Sequence, residues 1–580
     1  MDTLSDTLSR IVSIALLGAV TGALASLAAI GFVELIAALN DWLFISPRSR
    51  FMVDNARWLV VATVGVPAAG GLIVGIIHRY NPDRRSHGPP DIIQAVQGLE
   101  PRIPLRSGFL SAMASMVSLG AGASVGQYGP LTHLGATLGS LVAGCARNTR
   151  WMVTVGVGCG VAAAISTAFN APIAGIVFAH EVILRHYSLR AFAPITVAAT
   201  VGYVLANMVF ERPPLFRLET VDASSAPEFV GFVAIGVCGA LVAVVYMRAI
   251  LCSARLARKV PVPDFLKPML AGAALGLAAL WIPDVLGLGK ETLRFAVIDQ
   301  AFGAGELLVL VVAKILATAM CLGFGFAGGV FSPALLIGVL FGALAGNGAE
   351  VILGELHSEI AVYAICGMVA VTSAVIGAPL TTILIVFELT RNYDLATAAM
   401  VSVVFSNLVS YRIFGRSLFD VQLRMRGFDL ADGRHKAILD QRLVEDYVSL
   451  DYTALSPDAP LDEAKSRLLE ADRHEGYVVD ANGIYLGTVT LAELELSPAG
   501  DARGPKVTVG QLARPEPLIL TAKTTVWHAM EQMGDFVGES IPVLEAGGDG
   551  RLLGVVFEAT VVKAYLDTTN RIRKEENAGG

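Results

Sequence analysis

Two stretches with the same pattern decide the fold of this chain: Asn170-Ala-Pro-Ile-Ala-Gly-Ile-Val-Phe-Ala-His-Glu181 and Gly377-Ala-Pro-Leu-Thr-Thr-Ile-Leu-Ile-Val-Phe-Glu388. In each stretch an Ala-Pro pair opens an apolar segment that ends in a glutamate. Upstream of each lies a glycine-rich turn that ends in proline, Gly126-Gln-Tyr-Gly-Pro130 in one case and Gly328-Gly-Val-Phe-Ser-Pro333 in the other. Paired apolar segments interrupted by glycine and proline predict a duplicated transporter whose site lies near the middle of the membrane.

The composition also predicts a membrane protein, one that crosses the bilayer several times. Of the 580 residues, 54% are hydrophobic and 16% are charged, whereas soluble domains carry roughly 25% charged residues. No Asp, Glu, Lys or Arg occurs in 107–146, 315–349 or 360–387, and a spanning helix needs only about 20 apolar residues. The net charge of −7 offers no basic stripe for nucleic acid, so no nucleic-acid partner is expected.

Arginines predict which side of the bilayer the termini face. Several lie in the loop His78–Arg85, and others flank the last membrane segment: Arg412, Arg416, Arg424 and Arg426. Because basic loops face the cytoplasm, we expect a multi-pass protein of the plasma membrane with both termini cytoplasmic.

The character of the chain changes near residue 430. The predicted membrane domain is 1–430, with repeat halves of about 1–215 and 216–430. Beyond it, Tyr477–Thr490 and Ile541–Val556 repeat one hairpin pattern, each after an amphipathic helix, as soluble α/β units do.

These copies predict two further motifs, at 440–500 and 505–568. The charged end of the chain, 569–580, is predicted to be disordered because it offers few apolar residues to bury.

Helices that are broken at membrane depth leave backbone N–H groups that a lipid-facing segment could not tolerate. Such groups, together with the positive end of the helix dipole, favour an anion without a full positive charge nearby. Weak binding of this kind suits transport, since the ion must also leave. Packing through small residues is the other explanation of a single glycine turn, but two matched turns favour an anion site.

These motifs resemble those of the CLC family of chloride channels and proton-coupled chloride exchangers. Gly328–Pro333 resembles the family's G-x-F-x-P motif, and Gly126–Pro130 stands where the family has G-R/K-E-G-P. Ser86-His-Gly-Pro-Pro-Asp91 resembles G-S-G-I-P-E, and Phe169-Asn-Ala-Pro172 is a further family landmark. The C-terminal copies resemble a pair of CBS domains, so the resemblance covers nearly the whole chain.

The resemblance implies both the fold and the general function. The expected fold is an α-helical polytopic membrane protein with a CLC-type inverted repeat and broken helices, followed by a cytoplasmic α/β CBS pair. It implies a homodimer in which each subunit has its own path for small inorganic anions, with chloride the expected one. The expected anion-binding or pore residues are His87, Gly88, Tyr128, Gly129, Val330, Phe331 and Phe419.

Several positions depart from the family pattern. Tyr128 stands where the family has the glutamate that gates the path and takes up the exchanged proton. Val182 stands where many exchangers have an internal glutamate that carries protons. Phe419 replaces the central tyrosine, and His87 replaces the central serine unless a one-residue shift places Ser86 there.

Tyr128 and Val182 decide the predicted mechanism. Tyrosine has a reference pKa of about 10, which makes it a poor proton carrier at neutral pH, and valine carries no proton. We therefore expect a passive, proton-uncoupled anion channel or uniporter in which Tyr128 is the gate, either donating its hydroxyl to a passing anion or plugging the path. Backbone amides discriminate weakly among chloride, bromide and nitrate, so the identity of the anion stays open, with bicarbonate also a candidate.

Other titratable residues leave alternatives open. A histidine side chain ordinarily changes charge near pH 6.5, and His87 is expected to be either an anion ligand or a neutral pore-lining group. Glu181 and Glu388 are membrane carboxylates, which are functional by default, but their duplication favours a structural role in bracing the backbone. A proton-coupled exchanger that uses His87 or Glu181 is the first alternative function, and a nontransporting sensor read out through the CBS pair is the second.

No enzymatic activity, metal site or required cofactor is expected. The segment His180–His186 is similar to the H-E-x-x-H metalloprotease motif, but its second histidine falls at i+6 rather than i+4 and so leaves the helical face that binds the metal. In the first CBS motif Thr490 and Glu493 fit a ribose-binding pattern. An adenine nucleotide is therefore a candidate ligand at the CBS pair, whose second copy lacks both groups.

Overall fold

The described residues of the computed structural model fall into two units, Met1–Arg426 and Gly427–Gly580. The first unit is built from helices, and the second combines helices with two three-stranded sheets. The structure describes residues 2–46, 49–50, 56–98, 100–146, 149–210, 228–298, 301–353, 358–496, 507–516, 518–536 and 538–577.

The first half of the membrane unit is a series of helices joined by turns. These are α1 (Asp2–Trp42), α2 (Ala56–Tyr80), α3 (Pro89–Gln97), α4 (Leu105–Gly120), α5 (Tyr128–Ala146), α6 (Arg150–Phe169), α7 (Pro172–Phe178) and α8 (Leu189–Val204). Helices α7 and α8 continue into π-helical turns at Ala179–Leu184 and Leu205–Val209.

The second half repeats this arrangement. Its helices are α9 (Glu228–Lys259), α10 (Lys267–Ala278), α11 (Lys290–Phe295), α12 (Ala304–Gly323), α13 (Phe331–Leu353), α14 (Ile360–Ile376), α15 (Pro379–Thr390), α16 (Tyr393–Phe414) and α17 (Leu418–Arg424). Within the described part of the chain, eight helices are long and apolar enough to cross a membrane, as the composition predicts.

The two halves follow the same backbone course, which confirms the predicted repeat. Each helix before an Ala-Pro pair is followed by a left-handed residue, Asn170 with φ 62° and Gly377 with φ 70°. Each helical segment after the pair also ends at one, Arg185 with φ 57° and Arg391 with φ 52°. From its proline to its left-handed residue, the first segment (172–185) is one residue longer than the second (379–391). The wider π-helical turn at Ala179–Leu184 accommodates this additional residue.

Small residues let equivalent helices of the two halves approach closely. In the second half, a Cβ on Gly338 of α13 would lie 2.6 Å from the carbonyl oxygen of Gly367 in α14. In the first half, Gly135 of α5 faces Gly160 of α6 in the same way. Helix packing in membranes relies on such residues, since lipid supplies no hydrophobic effect to drive one helix onto another.

The second unit contains two copies of one β-α motif. After the helix α18 (Arg434–Leu439), the first copy comprises β1 (Ala454–Leu455), α19 (Leu461–Glu470), β2 (Glu475–Val479), β3 (Tyr485–Thr490) and α20 (Leu491–Leu496). The second copy follows the helix α21 (Val509–Leu512) and comprises β4 (Leu520–Thr521), α22 (Val526–Gln532), β5 (Ser540–Leu544), β6 (Leu552–Phe557) and α23 (Glu558–Asn577).

The strand pairing of the two copies is identical. In each copy the short first strand pairs in parallel with the second strand, which pairs antiparallel with the third. The register shifts at the same place, between Val478 and Val479 in one copy and between Val543 and Leu544 in the other. The two predicted hairpins and the helices before them are therefore confirmed.

Polar contacts join the two copies. The buried Tyr477 hydroxyl donates to the carbonyl oxygen of Ser540 at 3.1 Å, and Ile484 forms an antiparallel bridge with Arg551. Because each copy buries only a small core of its own, these links make the pair a single folded unit.

The end of the chain differs from its prediction. Helix α23 extends to Asn577, so most of the segment 569–580 is helical, and residues 578–580 lie outside the described residues. One face of this helix is buried, at Val561, Ala564 and Thr568. We attribute the continuation of the helix into the charged segment to the packing of this face.

Replacing Gly338 by alanine is expected to destabilise the membrane unit. The added methyl group would overlap the backbone of α14, and overpacking of this kind costs roughly 1–3 kcal/mol. Gly348→Ala is a matched control on the same helix, because nothing lies within 4 Å of its Cβ position. Thermal unfolding of the detergent-solubilised protein, followed by tryptophan fluorescence, measures both variants; equal midpoints would contradict this packing.

Candidate functional site

The two glycine-rich turns meet through a pair of backbone hydrogen bonds. The N–H of Gly126 donates to the carbonyl oxygen of Gly329 at 2.7 Å, and the N–H of Gly329 donates to that of Gly126 at 2.7 Å. A Cβ on Gly126 would lie 2.7 Å from the Gly329 oxygen, so the pairing requires glycine. Because α5 begins at Tyr128 and α13 at Phe331, this antiparallel bridge holds the two helix N-termini side by side.

A small cavity, here named the central cavity, lies beside the bridge. Its free volume is about 10 Å³, roughly the space that one water molecule needs. It is lined by Pro89, Tyr128, Gly129, Thr132, Ile165, Phe178, Gly329, Val330, Phe331 and Phe419.

Several helices begin at this cavity. Pro89, Tyr128, Phe331 and Phe419 each lie in the first turn of a helix, namely α3, α5, α13 and α17. The first N–H groups of a helix have no acceptor within it, and the helix dipole places partial positive charge there. The arrangement can therefore hold an anion without a charged side chain.

The cavity includes most of the predicted pore residues. Those that line it are Tyr128, Gly129, Val330, Phe331 and Phe419. His87 and Gly88 lie in the turn before α3 and are not in the lining set of the described residues.

Tyr128 is packed among phenylalanine rings. Its ring stacks on Phe169 with the centroids 4.0 Å apart and meets Phe331 edge-on at 5.3 Å. Phe178 extends the cluster, with its ring centroid 6.4 Å from that of Phe331. Tyr128 is only 4% exposed, and its ring forms part of the wall of the central cavity.

Two residues of the lining carry hydroxyl groups, Thr132 and Tyr128. The Thr132 hydroxyl donates to the carbonyl oxygen of Gly129 at 2.7 Å. The lining residues include no charged side chain. An anion in this cavity would therefore depend on backbone N–H groups and on the Tyr128 hydroxyl rather than on a charged side chain.

The His87 side chain is held by polar partners outside the cavity. Its Nε2 lies 2.7 Å from Asp83 Oδ2, and its Nδ1 lies 3.2 Å from Ser111 Oγ. Its ring also stacks on the buried ring of His133, with the centroids 5.5 Å apart. His87 therefore lies outside the set of residues that line the central cavity.

The rest of the turn before α3 is also fixed. The Ser86 hydroxyl, the alternative at the central position, lies 2.8 Å from His78 Nε2. Asp91 accepts the backbone N–H of Gly88 at 2.8 Å and pairs with Arg426 at 2.9 Å. Because Arg426 ends the membrane unit, this ion pair ties the segment after α17 to the start of α3.

Glu181 and Glu388 each brace the opposite half of the repeat. Glu181 accepts the backbone N–H groups of Leu380 and Thr381 in the first turn of α15, at 2.9 Å each. Glu388 accepts two N–H groups in the first turn of α7, at 2.9 and 2.7 Å. Each carboxylate lies beyond the middle of its own segment and meets the start of the other. Helices α7 and α15 therefore run antiparallel, as an inverted repeat requires.

Lys314 is a buried cation that the motifs do not identify. It lies in α12, is 2% exposed, and donates to the carbonyl oxygens of Val285 at 3.2 Å and Gly287 at 2.8 Å. An ionisable residue within a membrane segment is a functional candidate by default. Its signal in the sequence is a single lysine in the otherwise uncharged run 307–323.

In the second unit (Gly427–Gly580), here named the CBS unit, the side chains of Thr490 and Glu493 are hydrogen-bonded at the start of α20. The backbone N–H and the hydroxyl of Thr490 donate to the Glu493 carboxylate at 3.0 and 3.1 Å. Arg514 Nε lies 3.4 Å from the other oxygen of Glu493. Both predicted ribose contacts are thus already engaged within the protein.

Further carboxylates make this region acidic. Burial, and then the charge of Glu539, raises the pKa of Glu475. Burial raises the pKa of Glu516, and the negative charges of Glu475 and Glu493 raise it further.

These raised pKa values predict that the CBS unit gains stability as the pH falls from neutral towards the ordinary glutamate pKa of about 4.3. A carboxyl with a higher pKa in the folded state binds its proton more tightly there, and this stabilisation is lost as the pH rises through the raised value. Glu516→Gln should therefore increase protection from hydrogen exchange in β2 and β3 at neutral pH, and much less at mildly acidic pH.

Hydrogen-exchange mass spectrometry on the full chain measures this effect. Glu558→Gln, at an exposed carboxylate of the same unit, is the matched control and should change little. Lower protection in Glu516→Gln than in the unmodified chain at neutral pH would show that this carboxylate is stabilising instead.

Removing the carboxylate of either Glu181 or Glu388 is expected to destabilise the membrane unit. Glu181→Ala and Glu388→Ala each leave two backbone N–H groups without an acceptor, which costs roughly 1–3 kcal/mol, whereas the matching glutamine variants retain an acceptor oxygen. Thermal unfolding in detergent should show the alanine variants below the glutamine ones. Glu350→Ala, at an exposed position of α13, is the control, and an equal midpoint for all of these variants would rule out the bracing role.

Comparison with known proteins agrees with this geometry. The family model described as voltage-gated chloride channel matches residues 69–411, more than half of the chain. The CBS domain matches residues 444–495 and 509–567.

Individual relatives cover most of the chain. The H⁺/Cl⁻ exchange transporter ClcA of Vibrio cholerae is 28% identical over 417 residues, which are 68% of this chain and 87% of that protein. The chloride channel protein CLC-f of Arabidopsis thaliana is 27% identical over 551 residues, which are 83% of this chain and 68% of that protein.

Solved structures share the fold. A slow cyanobacterial Cl⁻/H⁺ antiporter matches with a TM-score of 0.66 and 22% identity, over 71% of this chain and 98% of that one. A eukaryotic CLC transporter matches with a TM-score of 0.64 and 19% identity, over 95% of this chain and 98% of that one. The inverted repeat, the family model and these likenesses agree that the chain belongs to the voltage-gated chloride channel (CLC) family and carries two CBS domains after its membrane unit.

Proposed function

We propose that this chain is a passive anion channel or uniporter that moves small inorganic anions, chloride among them, without moving protons. The observation that carries the proposal is the ring of Tyr128, which is buried in the wall of the central cavity at the position where the CLC motif has a glutamate. A phenol with a pKa of about 10 stays protonated at neutral pH, so Tyr128 can gate the path sterically but does not exchange a proton in each cycle.

The positions after Tyr128 also favour uncoupled conduction. Val182, which stands at the internal proton-carrying position, is 3% exposed and cannot titrate. Both carboxylate oxygens of Glu181 accept hydrogen bonds from α15. Protonating Glu181 would weaken these charge-assisted bonds, which makes it a poor proton shuttle.

Conduction requires that Tyr128 move. The free volume of about 10 Å³ suffices for a water molecule but not for a chloride ion. The ring is held by its contacts with Phe169 and Phe331, and aromatic pairs contribute roughly 0.5–1.5 kcal/mol each beyond their burial. Thermal motion can supply such an amount, so opening needs no chemical step.

We also propose an oligomeric state, a membrane and an orientation for this protein. We expect a homodimer in the plasma membrane with both termini cytoplasmic, in which each subunit has its own path for inorganic anions. An adenine nucleotide at Thr490 and Glu493 stays a prediction, and it would have to displace the contacts that these two side chains make with each other.

A proton-coupled exchanger is the second candidate, and one observation favours it. His87 bonds Asp83, whose side chain is 53% exposed, and stacks on the buried His133. This chain of groups leads from the surface towards α5. In that function His87 would pass protons inward, and His87→Gln would abolish the coupling.

Ion flux from liposomes that contain the purified protein distinguishes the two functions. With a chloride gradient we expect a reversal potential set by chloride, unchanged when a pH gradient is added. Tyr128→Glu should then introduce pH dependence, because an ionised carboxylate blocks the path and its protonated fraction falls about tenfold per pH unit above its pKa. Tyr128→Gln is the matched control and should conduct without that dependence.

Two other outcomes would contradict the proposal. A reversal potential that moves with the pH gradient, and ceases to do so in His87→Gln, would establish the exchanger. An absence of flux for chloride, nitrate and bicarbonate alike would favour a nontransporting sensor.

A further inference from the structure

A second cavity, here named the helix-end pocket, lies where three helical segments of the membrane unit end. Helix α6 ends at Phe169, α15 at Thr390 and the π-helical extension of α8 at Val209. The free volume of the pocket is about 580 Å³. Its polar lining residues are Asn170, Tyr203, Asn207, Glu388 and Arg391. Among the described residues, the helix-end pocket and the central cavity share no lining residue.

The ends of these helices place the pocket at the level of the lipid headgroups. Segments Arg150–Phe169 and Leu189–Val209 are each long and apolar enough to cross a membrane, and a helix of about 20 residues spans the hydrocarbon core. Residues at the ends of such helices lie at the boundary between hydrocarbon and headgroups. Lipid headgroups are therefore within reach of the pocket.

Two opposite charges in the pocket do not neutralise each other. The carboxylate oxygens of Glu388 accept the N–H groups of Ile173 and Ala174 at 2.9 and 2.7 Å, and each oxygen keeps a further lone pair. The Arg391 side chain is exposed and forms no hydrogen bond or ion pair with another described residue. Because Arg391 and Glu388 are not paired with each other, each can take a charged partner from outside the protein.

Three uncharged polar side chains complete the polar lining. Asn170 Nδ2 donates to Asn207 Oδ1 at 2.7 Å, and Asn207 Nδ2 donates to Asn170 Oδ1 in return. An amide nitrogen carries two hydrogens, so each asparagine keeps one N–H that this pairing does not use. The Tyr203 hydroxyl forms no hydrogen bond to another residue in the described part of the chain. The pocket therefore has spare donors for the oxygen atoms of a ligand.

Apolar side chains adjoin this polar pocket. Phe387 belongs to the lining, and Ile173, Val204 and Met208 are sequence neighbours of lining residues. All four are exposed, with Met208 at 74%. Apolar side chains on the surface of a membrane unit suit contact with lipid tails, which are as apolar as they are. A ligand with a polar head and a hydrocarbon tail matches both the pocket and its surroundings.

The two charges decide what kind of head fits. A purely anionic head would bring negative charge to Glu388, and a purely cationic one would bring positive charge to Arg391; such like-charge contacts are unfavourable. A head that carries both charges satisfies both residues. Guanidinium groups bind phosphate in a two-pronged fashion, and a primary ammonium group has three N–H donors for a carboxylate.

We infer that the helix-end pocket binds the headgroup of phosphatidylethanolamine, with the phosphate at Arg391 and the ammonium at Glu388. The spare N–H groups of Asn170 and Asn207 and the Tyr203 hydroxyl would donate to the phosphate or ester oxygens. The acyl chains would lie against the exposed apolar side chains beside the pocket. This inference does not depend on which ions the chain moves.

Native mass spectrometry of the purified full chain in detergent tests this lipid site. Dioleoyl phosphatidylethanolamine, phosphatidylcholine and phosphatidylglycerol are titrated separately at equal concentrations. We expect phosphatidylethanolamine to bind about tenfold more tightly than either of the others, the equivalent of one charge-assisted hydrogen bond. Choline has no N–H to donate to Glu388, and glycerol has no positive charge.

Arg391→Gln should weaken the binding of phosphatidylethanolamine by about tenfold, because it removes the cation that holds the phosphate. Arg391→Lys keeps the charge and should retain part of the affinity. The matched control is Arg412→Gln, at an exposed arginine in the last turn of α16, which should leave the affinity unchanged. Thermal unfolding checks that each variant is folded. If Arg391→Gln does not fold, Tyr203→Phe decides instead, with an expected loss of about two- to tenfold.

Several results would overturn the inference. Equal binding of the three lipids, or tightest binding of phosphatidylglycerol, would show that the pocket does not read both charges. An equal loss in Arg412→Gln would mean that the lipid binds by general charge attraction. Displacement of the lipid by free O-phosphoethanolamine at equal concentration would assign the pocket to a soluble zwitterion. A lower dimer fraction in Arg391→Gln, with its lipid binding unchanged, would assign the pocket to a second copy of the chain.

Discussion

The antiparallel pairing of Gly126 with Gly329 is the constraint on which the membrane unit depends. Two hydrogen bonds of 2.7 Å join the turns of the two halves, so the helices that follow must start at one place in the membrane interior. The first N–H groups of these helices have no acceptor within the helix itself. We place the proposed anion path between the halves because an anion is the ligand that such groups fit.

The same pairing explains why the repeat is braced elsewhere. Glu181 and Glu388 exchange contacts between the starts of α7 and α15, which are the second pair of helices to begin inside the unit. A carboxylate at a helix N-terminus satisfies exposed N–H groups and interacts favourably with the dipole. One pair of N-termini thus meets protein carboxylates, whereas the pair at the central cavity has no charged side chain among its lining residues.

The fold was predictable from the sequence because its signals are repeated. The Ala-Pro segments, the glycine turns and the two CBS hairpins each occur twice, and a coincidence rarely repeats at matched spacing. The site was predictable only in part. Tyr128, Val330 and Phe331 lie in the motifs themselves, whereas the direction of the His87 side chain depends on Asp83 and Ser111, which no motif links to it.

Other features could not be predicted because they arise from packing between distant segments. The cluster around Tyr128 brings together rings from α6, α7 and α13, and α23 continues into a charged segment only because its other face is buried.

The central claim is that closure by a tyrosine uncouples anion movement from protons, and the most direct measurement is of the protons themselves. Liposomes that contain the purified protein and an internal pH-sensitive dye are given an outward chloride gradient with a potassium ionophore. We expect rapid chloride efflux while the internal pH stays constant. Proton movement in fixed proportion to chloride, in the direction opposite to it, would contradict uncoupled conduction.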